Sequence, residues 1–343
     1  NEDEASAIQN AMNLYYLNRA KFFSEYQNDP QAKTQTKELS PGEIRSRVNG
    51  LARSVVPLEA TTLTAYVDVQ GDLLYWLVAA WRKTDFTGWV VDYGTWPEQG
   101  RDYFTLSDAR PTISQATGIA DLQASLLAAL ETLCGGLATK EWPRESGSGT
   151  ARLDRIGIDA NWGQSTETVY SWARRTPHAQ LILPGHGKYI GPGTRALNDY
   201  QRKPGDLIGP HWRIPGDPGS RGTRHIVIDT NYWKTQVHTR LACAVGQAGG
   251  LSLFGNQPHA HRMLADHLTA EQRVEVVDKT GSRELDVWKL RPERPDNHFF
   301  DCLVGAMVLA STLGVTEAGG EAVQASTRRV RYTIGKGGVA RAG

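Results

Sequence analysis

Three aspartates lie inside short apolar segments, where an ionised carboxylate is costly unless it is paired, hydrogen-bonded or bound to a metal. They are Asp68 in Tyr-Val-Asp-Val, Asp159 in Ile-Gly-Ile-Asp and Asp301 in Phe-Phe-Asp-Cys-Leu-Val. If they converge, their mutual repulsion calls for a cation, and hard oxygen ligands suit Mg²⁺ or Mn²⁺. Two such ions about 4 Å apart would hold the attacking and leaving oxygens of an in-line phosphoryl displacement.

Each of these acids, taken singly, is better explained as a cap or turn residue, but three in this order favour a metal site. Other acids in the chain have simpler explanations. Asp92 is expected to end an edge strand, and Asp72 lies in a turn. Asp229 and Asp296 each precede a helical segment, where an aspartate caps the first backbone amides.

Two groups of histidines are candidates for a supporting role. His298 lies one helical turn before Asp301, so we expect the two to share a face. His298 would then orient a carboxylate or touch a phosphate; an ordinary histidine at a helix start explains it equally well. His259, His261 and His267 have the spacing of a metal cluster, but no cysteine or paired acid completes it, which argues against zinc.

A long Gly- and Pro-rich stretch from 185 to 224 carries basic side chains among the aromatic residues Tyr200 and Trp212. Lys188 follows a strand end and is placed to approach a phosphate, although a solvated loop lysine is an equal explanation. Basic residues interleaved with aromatics suit a DNA backbone, and the alternative is a merely soluble loop. The candidate DNA-binding residues are Arg195, Arg202, Lys203, Arg213, Arg221 and Arg224.

The order of the predicted elements indicates how these residues are positioned. Three β-rich segments separated by short turns predict an antiparallel meander, and a strand, helix, strand alternation then predicts a parallel crossover. The meander strands are predicted at 64–69, 73–81 and 89–93, and the crossover at 155–159, 164–175 and 180–184. With a buried closing helix over 297–313, this order predicts an α/β, ribonuclease H-like mixed sheet flanked by helices.

Composition sets further bounds on the chain of 343 residues. A net charge of +1 gives no global basic field, so any DNA-binding surface must come from local clustering. Three cysteines without close spacing argue against a disulfide scaffold, and the absence of a Walker A motif excludes P-loop nucleotide binding. No apolar run approaches the roughly 20 residues of a membrane span. We therefore expect an intracellular protein with no membrane contact.

Three domains follow from these patterns. A helical arm or linker is expected over 1–55, with a helix from Glu4 to Tyr26. The ribonuclease H-like domain is expected over 56–315. A flexible basic tail is expected over 316–343.

Several motifs together resemble the large terminase subunit of tailed phages, in particular its lambda-like branch, over most of residues 60 to 315. The opening motif runs from Tyr66 to Gln70 and is followed by Trp-Val-Val-Asp-Tyr-Gly at 89–94. The later motifs are Ile158-Asp159, the segment 228–234 and the segment 297–303. Residues 23–30 are similar to the segment that follows the packaging ATPase. Each motif is short, and their number and order carry the resemblance.

The resemblance implies the C-terminal nuclease domain of a DNA-packaging motor, which cuts concatemeric double-stranded viral DNA. By its motifs, Asp68, Asp159 and Asp301 would bind two Mg²⁺ or Mn²⁺ ions, with Lys188 and His298 as further catalytic candidates. It also implies an ATPase domain in the same full-length chain, a small terminase subunit and a portal protein as partners, and action in the cytoplasm of the bacterial host. Two alternatives stay open: a non-catalytic module that grips DNA and docks onto the portal, and a transposase or junction resolvase.

Overall fold

The computed structural model of the chain describes residues 38–216, 222–277 and 284–317, together with Gly219 and the backbone of three short strands near the end. The predicted helix from Glu4 to Tyr26, Arg221 and most of the predicted basic tail lie outside these residues. The strands are β1 (Thr62–Val69), β2 (Leu74–Trp81), β3 (Gly88–Trp96), β4 (Trp142–Pro143), β5 (Thr150–Ala151), β6 (Arg155–Asp159), β7 (Ile182–Lys188), β8 (Leu207–Gly209), β9 (Trp212–Ile214), β10 (Ile226–Asp229), β11 (Leu251–Leu253), β12 (Glu271–Val277), β13 (Glu284–Leu290), β14 (Gln324–Ala325), β15 (Tyr332–Ile334) and β16 (Ala340–Ala342).

The helices alternate with these strands along the chain. They are α1 (Pro41–Arg45), α2 (Ile113–Thr117), α3 (Leu122–Thr139), α4 (Thr166–Arg175), α5 (Thr230–Ala242), α6 (Arg262–Leu268) and α7 (His298–Thr312). Short 3-10 turns lie at Leu106–Asp108, Glu145–Gly147, Leu197–Asp199 and Pro258–His261.

One mixed sheet organises the chain, with the strand order β11-β3-β2-β1-β6-β7-β10-β9-β8-β14. β1, β2 and β3 form the predicted antiparallel meander, and β6, β7 and β10 then add in parallel to β1. The parallel additions need crossovers, which α4 and the long 189–225 segment provide. This central order, with β2 antiparallel to its neighbours, is the predicted ribonuclease H-like arrangement.

Helices cover both faces of the sheet and bury two apolar cores. α7 packs on β1 and β2, where its side chains join Tyr66 and Leu77 in one core. α3 and α4 cover the other face, where Leu126 and Ala129 of α3 pack with Ala65 and Val67 of β1. Alternate residues of β1 therefore enter different cores, as the period of two in a strand requires.

Asp121 precedes α3 as its N-cap, and its carboxylate accepts a hydrogen bond from the Ala124 amide at 2.8 Å. By length and composition alone, α3 is the one helix among the described residues that is apolar enough to cross a membrane. Its buried face packs against the sheet, which accounts for the apolar composition.

The compact unit around the sheet begins at Leu39, earlier than the predicted boundary at residue 56. The side chain of Ile44 in α1 is fully buried, Val48 forms a β-bridge with Leu253, and Arg47 donates to the Cys243 carbonyl at 2.8 Å. The polar composition of 39–55 predicts a peripheral arm, but these few long-range contacts are enough to pack the segment against the sheet.

The aromatic ring of Tyr66 fixes the position of α7 above the sheet. A Cβ atom at Gly305 of α7 would lie 2.1 Å from Tyr66 Cδ2, and one at Gly157 of β6 would lie 2.4 Å from the same atom. The Thr64 hydroxyl adds a polar tie, since it donates to the Ala306 carbonyl of α7 at 2.8 Å. The helix that carries Asp301 is thus held against the strand that carries Asp68.

We expect Gly305→Ala to lower the free energy of unfolding by about 1–3 kcal/mol, because the added methyl group overpacks the contact with Tyr66. The measurement is urea denaturation followed by far-UV circular dichroism. Gly136→Ala in α3 is the matched control, since a Cβ there meets no atom within 4 Å. The control should be stabilised by about 0.5–1 kcal/mol. Equal effects of the two substitutions would contradict the close packing.

Candidate active site

A cleft of about 340 Å³ opens where the sheet meets the first turns of α7. Asp68, Asp159 and Asp301 all line it. The structure therefore brings together the three acids that the sequence singles out, although they lie far apart along the chain.

The register of the sheet explains why two of these acids meet. β1 and β6 are parallel neighbours, and Val67 pairs with Ile158. The next residues, Asp68 and Asp159, therefore lie side by side at the same edge, on strands about 4.8 Å apart. Asp301 approaches from α7, which packs over β1.

The carboxylates are crowded in a site that is largely shielded from water. Asp68 is 5% exposed. Burial raises the pKa of Asp159 well above its ordinary value, and the negative charges of Asp68 and Asp301 raise it further. Burial likewise raises the pKa of Asp301, although the side chain keeps 36% of its surface open to the cleft. A cation among these oxygens would relieve the repulsion.

The donor set fits a hard divalent cation better than a transition metal that prefers nitrogen or sulfur. Among the described residues, however, no three His, Cys, Asp or Glu side chains already enclose a position for a metal ion. The acids line the cleft without closing around a point. This is compatible with Mg²⁺-type binding, in which one or two carboxylates hold an ion whose other ligands are water or phosphate oxygens.

Lys234 of α5 is the cleft residue that the sequence reasoning missed. Its ammonium nitrogen lies 3.1 Å from Asp301 Oδ1 and also forms an ion pair with Glu271. Burial opposes the charged form, but the negative charges of Asp301 and Glu271 outweigh it and raise the pKa of Lys234. Asn297 donates to Glu271 at 2.7 Å and fixes this pair. Lys234 is the last residue of the 228–234 motif. Its burial distinguishes it from other lysines, and the sequence alone does not show that burial.

His298 contacts Asp68, although the sequence pairs it with Asp301. Its Nδ1 lies 2.7 Å from Asp68 Oδ2, and its ring stacks on Tyr75 with 4.3 Å between the centroids. Burial lowers the pKa of His298, but the neighbouring carboxylates of Asp296 and Asp68 prevail and raise the pKa to about 9. With the Gln70 amide, which donates to Asp68 at 2.9 Å, His298 fixes the orientation of that carboxylate.

Lys188 lies outside the cleft. Its side chain donates to the Tyr200 hydroxyl at 2.7 Å. Arg195 and Arg213 approach the same ring, with 4.8 and 5.4 Å between the guanidinium carbons and the ring centroid. Arg202 and Lys203 lie in an exposed loop, while Arg224 donates to the Gly205 carbonyl at 2.8 Å. Only part of the predicted basic series therefore clusters.

The competing acids take structural roles. Asp229 caps α5 as predicted. The predictions for two others were wrong. Asp92 lies in β3, which is not an edge strand because β11 pairs with it. Asn297 rather than Asp296 occupies the N-cap position of α7, and its side chain forms no capping hydrogen bond. Asp92 instead binds Arg53 at 2.6 Å, and Asp296 accepts from the Leu106 amide at 2.8 Å.

The histidines at 259–267 do not form a metal cluster among the described residues. His261 lies 2.8 Å from the Phe254 carbonyl and 3.0 Å from the Tyr93 hydroxyl. Burial lowers the pKa of His267 to about 3. The His267 ring accepts a hydrogen bond from the Phe299 amide of α7 at 3.3 Å, so both rings have structural partners.

Comparison with known proteins gives a family match. The sequence model of the family described as "Terminase large subunit gpA, endonuclease domain" matches residues 21–320. No curated protein sequence matches the chain. Among solved structures, a lysine-to-alanine mutant of the nuclease domain of the large terminase subunit gp2 of bacterial virus Sf6, with manganese, is similar at 11% identity. The match covers 78% of this chain and 97% of that one, with a TM-score of 0.36.

We expect Asp159→Asn to raise the free energy of unfolding when divalent ions are absent, because burial and the charges of Asp68 and Asp301 raise the pKa of this carboxyl in the folded state. A carboxyl with a raised pKa in the folded state costs stability as the pH rises above its unfolded value of about 3.9. The advantage of the variant should therefore be absent below that pH and grow above it.

The measurement is the free energy of unfolding, obtained by urea denaturation in EDTA at pH values from below to above about 3.9. Asp102→Asn, at an exposed aspartate outside the cleft, is the control and should show no such gain. A variant less stable than the parent at neutral pH would contradict the crowding of the acids.

Proposed function

Because the chain belongs to the family of gpA terminase large subunit endonuclease domains, we propose that it hydrolyses phosphodiester bonds of double-stranded DNA, with Mg²⁺ or Mn²⁺ held by Asp68, Asp159 and Asp301. The observation that carries this proposal is the meeting of these three acids in one cleft. Burial and mutual repulsion make the cleft unfavourable without a cation. The resemblance read from the sequence supports two ions rather than one.

Bound divalent ions would supply Lewis acidity and activate the attacking water. The chain's own residues hold and orient the groups around them. Asp68 and Asp159 present oxygens from adjacent strands, and Asp301 faces them from α7. His298 and Gln70 keep the Asp68 carboxylate in one orientation, as outer hydrogen-bond partners do in metal sites.

Lys234 gives the cleft a fixed positive charge. Its ammonium group lines the cleft beside Asp301. An ammonium group there can contact a non-bridging phosphate oxygen and stabilise charge that develops during hydrolysis. Because Glu271 holds the other side of the same group, its position does not depend on substrate.

The substrate and partners follow from the family. We infer that the chain acts on concatemeric viral DNA during genome packaging, with a packaging ATPase domain, a small terminase subunit and a portal protein as partners. Its place of action is then the cytoplasm of the bacterial host. The family also favours this reading over a transposase or junction resolvase, which share the order of the acids.

The rival function is a module that grips DNA and docks onto the portal without cutting. The observation in its favour is that Lys234 already offsets Asp301 and that no closed ligand set is present among the described residues. Isothermal titration calorimetry with Mn²⁺ separates the two. Binding that is lost in Asp68→Asn supports the nuclease, and DNA binding without any metal binding supports the rival.

We expect the parent chain to nick or linearise plasmid DNA with Mn²⁺, and Asp68→Asn and Asp301→Asn to cut more than about 100-fold more slowly. This exceeds the 10–100-fold loss typical of changes to the partners of metal ligands, because ligands themselves are removed. The rate is measured by gel analysis under single-turnover conditions.

Asp121→Asn is the control, since asparagine caps a helix as well as aspartate does and Asp121, the N-cap of α3, lies outside the cleft. It should cut at the parental rate. Equal rates for Asp68→Asn, Asp301→Asn and the parent would refute the assignment.

A further inference from the structure

Lys188, Arg195 and Arg213 surround the ring of Tyr200 and form what we call the Tyr200 cluster. Lys188 donates to the phenol oxygen at 2.7 Å, and the cationic groups of all three lie 4.8 to 5.4 Å from the ring centroid. The hydrogen bond from Lys188 lowers the pKa of Tyr200 below its ordinary value. Three positive charges are thus gathered on one aromatic side chain.

The cluster keeps an excess of positive charge. The one carboxylate that the described residues place in an ion pair with it is Asp206, 3.7 Å from Arg213 Nε. Asp206 is nearly fully buried, and its oxygens also accept hydrogen bonds from the Gly216 and Lys203 amides. Three cations against one occupied carboxylate leave a net attraction for an anion.

The cluster lies at the same end of the sheet as the acids but on the opposite face. Lys188 is the last residue of β7, next to Gly187 and Tyr189, which line the acidic cleft. Since alternate residues of a strand point to opposite faces, Lys188 points away from α7. Arg213 also points away from α7, because the adjacent residue Trp212 points toward it and donates to Ser311 of α7 at 2.9 Å.

We propose that the Tyr200 cluster is a phosphate-binding subsite for the DNA duplex, which lies across the sheet edge with its cleaved phosphate in the cleft on the α7 face. This inference rests on the proposed function. A duplex carries two phosphate backbones, separated across a major groove of about 12 Å, so it can reach both faces of an edge at once. The subsite reads no base, since phosphate contacts fix register and orientation rather than sequence.

The exposed aromatic ring of Tyr189 lines the acidic cleft and adjoins the Tyr200 cluster along the chain, which supports one DNA path over both. It is 53% exposed and lines the cleft immediately after Lys188 in the chain. A DNA strand whose sugar-phosphate backbone leaves the cleft over Tyr189 would therefore reach Lys188 and Arg195 without crossing another strand of the sheet.

The test is fluorescence anisotropy of a short labelled duplex, titrated with the full chain in EDTA at several salt concentrations, so that no cleavage occurs. Each lost phosphate contact removes about 0.9 from the slope of log affinity against log salt. We expect Lys188→Gln/Arg195→Gln to reduce the slope by about 2 and the affinity at moderate salt about tenfold. Arg195→Gln alone should reduce the slope by about 1.

The control is Arg152→Gln/Arg262→Gln, which removes the same charge elsewhere. Arg262 also lies over a tyrosine ring, 4.6 Å from that of Tyr103, and Arg152 pairs with the exposed Glu141. Both double variants should melt at the parental temperature. If the cluster variants keep the slope of the control, the subsite is refuted. A parent that binds the duplex but fails to cut it with Mn²⁺ would overturn the proposed function and leave the subsite standing.

Discussion

Electrostatic repulsion among three carboxylates in one cleft, of which Asp68 is buried and Asp159 and Asp301 are partly exposed, is the constraint on which the rest of the site depends. Asp68 and Asp159 are side by side because β1 and β6 are parallel and in register, and Asp301 is pressed toward them by α7. A fold that only had to be stable would avoid such crowding, since isolated charges in low dielectric are expensive. Lys234 offsets one of the three charges, and divalent cations would offset the others. The remaining repulsion among the carboxylates does not drive them apart, because the packing around them holds the acids in place.

That packing centres on Tyr66, which lies beneath α7 where glycines allow close approach. The same ring that fixes the helix over the sheet fixes the distance between Asp301 and the strand acids. His298 and Gln70 then orient Asp68, while Glu271 and Asn297 hold Lys234. Asp68 and Lys234 therefore each have a partner outside the cleft, which helps to preorganise the site.

The three acids of the cleft could be predicted from the sequence, because an aspartate inside an apolar run is recognisable from its neighbouring residues. The meander, the parallel crossover and the closing helix also have local periodicities, and the structure confirms them. Lys234 could not be predicted, since its partners Glu271 and Asp301 lie 37 and 67 residues away along the chain. A lysine is also expected to be exposed to solvent, because lysines are almost never buried unless they are paired. The packing of residues 39–55 depends on equally distant contacts. The sequence places Lys188 after a strand that ends at residue 184, whereas β7 extends through Lys188. The face on which Lys188 lies follows from the exact register of β7, which turn signals leave uncertain by a residue.

The most direct test of the central claim is the anomalous diffraction of a crystal soaked in Mn²⁺. We expect two manganese peaks about 3.5–4 Å apart, in contact with the carboxylates of Asp68, Asp159 and Asp301. Well-ordered carboxylates with no peak between them, and with Lys234 still bound to Asp301, would contradict it. The family membership would then describe the ancestry of the fold without its chemistry.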